Sequence, residues 1–87
     1  MAIDQSATVK DQVRNFVQNL ADAKGISSFS DQEALLESGI LDSLSIFRLV
    51  AFLEDTFRVK IGDQEITNEN LKNVETIEQL VVSKQGK

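Results

Sequence analysis

Apolar residues recur at intervals of three and four positions through most of the chain, and this spacing predicts helices. The chain has no proline and no stretch in which apolar and polar residues alternate as in a strand. A first helix is predicted to begin near Ser6 to Thr8 and to end near Gly25, which can adopt the left-handed conformation that closes a helix. Its buried face should consist of Val9, Val13, Phe16, Val17 and Leu20.

The most apolar helical pattern covers residues 43–57. The carboxylate of Asp42 is suited to cap this second helix, because it can accept hydrogen bonds from the unpaired N–H groups of the first turn. Ser43 then occupies the first helical position, with its side chain towards solvent. The residues predicted to be buried are Ile46, Leu49, Val50, Leu53 and Phe57.

Two shorter helices are predicted after the second. Thr67 or Asn68 can cap a short third helix that contains Leu71, and Asn73 can cap a fourth helix from about Glu75. The fourth helix should bury Ile77, Leu80 and Val81.

The connection from Gly25 to Leu41 is too apolar to be a solvated linker, so it should pack on the core. Within it, Asp31 and Gly39 are suited to begin and end one or two helical turns. We therefore expect an all-α fold, a small four-helix bundle with a long loop between helices 1 and 2 and a short helix 3. Residues 1–87 should form a single domain with an ordered core of about 6–83.

The composition excludes several kinds of chemistry. The chain of 87 residues is too short for a deep catalytic cleft, and it contains no histidine and no cysteine. A Ser-His-Asp triad, a cysteine nucleophile and a zinc site of the usual ligands are therefore excluded. We expect no enzyme activity, no catalytic residue and no metal site.

The charge also limits the partners. A net charge of −5 without a basic cluster argues against binding to nucleic acid or to an anionic membrane. No apolar stretch approaches the roughly 20 residues that span a bilayer, and the polar beginning of the sequence lacks a secretory signal. A cytoplasmic monomer is the simplest expectation.

The run Gly39-Ile40-Leu41-Asp42-Ser43-Leu44 resembles the attachment site of acyl carrier proteins and of the related peptidyl, aminoacyl and D-alanyl carriers. The resemblance extends from about Val9 to Val82 and includes Leu35 to Gly39, Glu54 to Phe57, Ile66 and Thr76-Ile77. It implies that a phosphopantetheinyl transferase esterifies Ser43 with 4′-phosphopantetheine from coenzyme A. The thiol of this arm would hold an acyl or aminoacyl group as a thioester. Asp42 would hold the attachment turn, and Leu44 would be recognised by the transferase.

Electrostatics favour an anionic group at Ser43, because the start of a helix offers unpaired N–H donors and the positive end of the helix dipole. The local residues alone favour the interpretation that Asp42 and Ser43 are no more than a helix cap, whereas the pattern over the whole chain favours attachment. The alternative function is an unmodified four-helix module for protein interaction or regulation. In such a module Ser43 is a cap or a phosphorylation site.

The second helix has more apolar residues than one buried face can hide. Leu44, Phe47, Arg48 and Ala51 share a side by their spacing and lie below Ser43. In the carriers that the sequence resembles, the matching positions contact the partner enzymes, so Leu44 and Phe47 should be apolar anchors and Arg48 a selector. The alternative is that Phe47 packs in the core.

One departure from the resemblance bears on the pathway. Carriers of fatty-acid synthesis typically have acidic residues in the first turns of this helix, whereas here the residues are Ser45, Ile46, Phe47 and Arg48. Rim charges select partners, so a specialised cargo is favoured over housekeeping fatty-acid synthesis. The expected partners are an acyl- or aminoacyl-loading ligase and downstream transferases.

Overall fold

The computed structural model describes residues 5–85, so the two ends of the predicted domain, residues 1–4 and 86–87, lie outside the described residues. Residues 5–85 contain no strand, which confirms the all-helical prediction. None of their helices combines the length and the apolar character that crossing a membrane requires. The α-helices of this part of the chain are α1 (Gln5–Ala23), α2 (Ser43–Phe57) and α3 (Val74–Gln85), with a single 3-10 turn at Asp63–Glu65.

One hydrophobic core joins the three helices and the connection between α1 and α2. The α2 bounds agree with the sequence prediction, and α3 begins directly after the predicted cap Asn73, whose Oδ1 accepts a hydrogen bond from the Thr76 N–H at 2.8 Å. Gly25 has φ 78°, the left-handed conformation expected at the end of α1. The largest fully buried side chains are Leu35, Ile40, Leu49, Leu53, Leu71, Ile77, Val13, Val17, Val74 and Val81.

The predicted short third helix is wrong, because residues 66–73 include no α-helix. The Leu71 N–H donates to the Thr67 carbonyl at 3.0 Å, which closes one turn only. The Thr67 hydroxyl accepts a hydrogen bond from the Asn70 N–H at 3.1 Å, which is the predicted cap, but the helical path ends before residues 72–73, where Asn73 already caps α3. A helix this short also lacks the length to offset its nucleation cost. Leu71 is nevertheless buried.

The connection over residues 24–42 is tied to the rest of the protein by backbone hydrogen bonds. The Leu35 N–H donates to the Lys72 carbonyl at 2.8 Å, and the Leu41 N–H donates back to the Leu35 carbonyl at 3.0 Å. Gly39, at φ 88°, ends the turn between them. The segment that leads into α2 is therefore held against the segment that leads into α3.

One or two helical turns are predicted between Asp31 and Ser38, and the structure has two separate turns there, at residues 31–32 and 35–39. Only the second contains a hydrogen bond of the α-helical kind, from the Ser38 N–H to the Ala34 carbonyl at 2.9 Å. Asp31 does not cap this turn. Its carboxylate accepts a hydrogen bond from Arg14 and pairs with Lys10 at 3.4 Å, both on α1. The Arg14 hydrogen bond is the main reason that the pKa of Asp31 is lowered. Asp31 therefore anchors the connection to α1.

Candidate attachment site

Ser43 is the first residue of α2, and its side chain is exposed. Asp42 precedes it in an extended conformation, and its Oδ1 accepts a hydrogen bond from the Ser45 N–H at 2.8 Å. This confirms Asp42 as the N-cap. The first hydrogen bond along the helix backbone runs from the Ile46 N–H to the Asp42 carbonyl at 2.9 Å. The N–H groups of Ser43 and Leu44 come before that bond, at the positive end of the helix.

Asp42 has a second partner, which the sequence did not predict. Lys24 Nζ lies 2.7 Å from Asp42 Oδ2. Lys24 sits in the turn that ends α1, where its N–H donates to the Ala21 carbonyl at 3.0 Å. The Lys24 hydrogen bond, followed by the hydrogen bond from the Ser45 N–H, lowers the pKa of Asp42 well below its usual range. The carboxylate next to Ser43 is therefore ionised and already paired.

The composition of the chain limits the groups that could activate the hydroxyl of Ser43. The protein contains no histidine and no cysteine. Among residues 5–85, no three acidic side chains come together closely enough to hold a metal ion. The nearest serine along the chain, Ser45, is only 7% exposed, whereas Ser43 lies on the surface.

The residues expected to contact partners lie on one exposed face of α2, which we call the exposed face: Leu44, Phe47, Arg48 and Ala51. Leu44 is 63% exposed and Phe47 is 68% exposed. The alternative that Phe47 packs in the core is therefore wrong. The structure brings Ser43, Leu44 and Phe47 together at the same end of the helix.

Two surface depressions lie away from Ser43. One of about 230 Å³ lies between α1 and α2, where the rings of Phe16 and Phe52 stack with their centroids 4.5 Å apart. The other, of about 600 Å³, lies beyond the opposite end of α2 and is lined in part by Arg58 and Lys60. Neither is lined by a residue of the attachment turn or of the exposed face.

Comparison with known proteins adds no relative from which a function could be transferred. No protein-family model matches the chain, and no curated protein matches it. The case for a function therefore depends on the site itself.

Proposed function

We propose that this chain is a stand-alone carrier protein. Ser43 carries 4′-phosphopantetheine, and the protein presents an acyl or aminoacyl group, held as a thioester on that arm, to partner enzymes. The observation that supports this best is an exposed serine hydroxyl at the first position of a capped helix. The three α-helices, with the turn at residues 67–71 in place of a short helix, are taken to correspond to the four-helix arrangement of acyl carriers.

The residues around Ser43 suit a phosphodiester. The N–H groups at the start of α2 and the helix dipole favour a negative charge there. Asp42 keeps the first turn formed through its hydrogen bond to the Ser45 N–H. When attached, the arm supplies the thiol that the protein itself lacks. The chain contributes a fixed position for the arm and leaves the reactivity to the cofactor and the partner enzymes.

The exposed face of α2 offers apolar side chains that partner enzymes could bind. Exposed aromatic and aliphatic side chains act as anchors when they are desolvated in a complex, so Leu44 and Phe47 would serve a phosphopantetheinyl transferase and later enzymes in this way. Arg48 places a positive charge on the same face, and the first turn of α2 has no acidic residue. Partner enzymes would therefore present apolar pockets with acidic rims.

Mass spectrometry tests the attachment. Incubation with coenzyme A and a broad-specificity phosphopantetheinyl transferase should add one arm to the wild type and none to Ser43→Ala. Ser45→Ala is the matched control, since Ser45 is buried two residues away and its loss should leave the modification intact. A wild type that stays unmodified, while a known carrier in the same reaction is modified, would favour the unmodified interaction module instead.

A second experiment addresses the cargo. The arm-bearing protein is offered in parallel to an amino-acid-activating ligase and to a malonyl- or fatty-acyl-loading enzyme. The absence of acidic residues in the first turn of α2 predicts faster loading by the ligase. Changing Arg48 to Glu should shift loading towards the enzyme with a basic docking surface.

A further inference from the structure

The ion pair between Lys24 and Asp42 links the end of α1 to the start of α2, directly beside Ser43. The two side chains are 37% and 52% exposed. Exposed ion pairs contribute little to folding, because water screens them and two long side chains must be ordered. The position of this pair is therefore more informative than its strength.

An anion attached to Ser43 meets an electrostatic conflict. Ser43 follows Asp42 directly, with Cα atoms about 3.8 Å apart, so a phosphate on the Ser43 hydroxyl would add a second negative charge within the range of electrostatic repulsion from the Asp42 carboxylate. Rotation of the Asp42 side chain away from the phosphate would break the hydrogen bond that its Oδ1 accepts from the Ser45 N–H. The ammonium group of Lys24 meets the other oxygen, Oδ2, at 2.7 Å. It carries three N–H donors, so it can bond to Asp42 and to a second anion together.

We propose that Lys24 is the counter-ion of the attachment site: it neutralises Asp42 and binds the phosphate of a group joined to Ser43. This inference rests on the proposed carrier function, since that function supplies the phosphate. Lys24 is thus a positioning residue, contributed by the end of α1 rather than by the attachment motif.

A thermal-unfolding cycle tests this without any arm. Ser43→Glu places a carboxylate at the attachment position, and its effect is measured with Lys24 present and in Lys24→Met. With Lys24, the substitution should leave the unfolding midpoint unchanged or raise it. In the Lys24→Met background, the change in midpoint caused by Ser43→Glu should be about 3 °C more negative than the change measured with Lys24 present. Lys24→Arg should restore the wild-type response, and Lys60→Met, the same charge change at the far end of α2, should not alter it.

The arm-bearing protein gives an independent readout. Mass spectrometry first shows which variants carry the arm, and the phosphorus-31 resonance of the phosphodiester is then recorded. It should shift in Lys24→Met but stay near the wild-type position in Lys24→Arg and Lys60→Met. Equal resonances in all four proteins, or a Ser43→Glu effect independent of Lys24, would overturn the assignment of Lys24.

Failure of the carrier function gives a different result. If the wild type takes no arm in the controlled reaction, the proposed function is rejected. The Ser43→Glu cycle then still decides whether Lys24 acts as the counter-ion of a negative charge at residue 43.

Discussion

The buried face and the exposed face of α2 are both apolar, but they differ in what their side chains contact. Leu49 and Leu53 on the buried face are 0% exposed, whereas Leu44 and Phe47 on the exposed face are 63% and 68% exposed. Burial of apolar area stabilises a fold in proportion to the area removed from water. Folding therefore accounts for the first pair and not for the second. We have proposed that these two exposed apolar residues, which lie at the same end of α2 as the Ser43 hydroxyl, contact partner enzymes.

Truncation of the buried face should have the largest effect. Leu53→Ala is expected to lower the free energy of unfolding by about 2–5 kcal/mol, because it removes a fully buried side chain and leaves a cavity. Leu44→Ala is the matched control on the exposed face and should change it by less than about 0.5 kcal/mol. Urea unfolding measures both, and similar losses in the two variants would remove the distinction between the faces.

Loss of the helix cap should come next. Asp42→Ala removes the acceptor of the Ser45 N–H and the partner of Lys24, so its unfolding midpoint should fall by a few degrees. Asp42→Asn keeps an oxygen that can cap the helix and should lose less. A thermal scan in which both variants melt together would show that the cap hydrogen bond contributes nothing measurable.

The charge of Asp42 should also appear in the pH dependence of stability. Its folded pKa is lowered by Lys24 and by the Ser45 N–H, so its contribution is complete above the unfolded pKa of about 3.9 and is lost as the pH falls below that value. The difference in unfolding midpoint between the wild type and Asp42→Asn should therefore narrow steadily as the pH falls from about 4 towards 2. The pKa of Asp31 is also lowered, but Asp31 is present in both proteins, so its titration does not contribute to the difference between them. A gap that stays constant to pH 2 would contradict the assigned direction.

The smallest effect on stability is expected for Phe47. Phe47→Ser should change the free energy of unfolding by less than about 0.5 kcal/mol, because the ring is mostly in water. The rate of arm transfer by the transferase should nevertheless fall. Phe52→Ser is the control, since Phe52 is half-buried and stacks on Phe16, and it should destabilise the protein more. A normal transfer rate for Phe47→Ser would remove Phe47 from the docking surface.

The sequence predicted what depends on local interactions. The bounds of α2 and its cap follow from Asp42 and the apolar spacing after it, and the Asn73 cap is equally local. The predicted short third helix is wrong in its length: Thr67 caps it as expected, but it ends after one turn because Asn73 already caps α3.

Other features depend on residues far apart in the chain. Lys24 meets Asp42 and Arg14 meets Asp31 only once the helices have packed, so no spacing in the sequence marks these pairs. Phe47 was ambiguous for a similar reason. Helical periodicity says which residues share a side, but the neighbouring elements decide which side is covered.

The hydrogen bond from the Leu35 N–H to the Lys72 carbonyl joins the approach to α2 to the approach to α3. In the proposed carrier, the polypeptide that leads to Ser43 is therefore held at a constant place on the molecule. The distance over which a substrate could travel between enzymes would then be set by bond rotations in the arm, and not by displacement of the backbone. Each partner enzyme would therefore find the arm attached at the same position relative to the exposed face of α2.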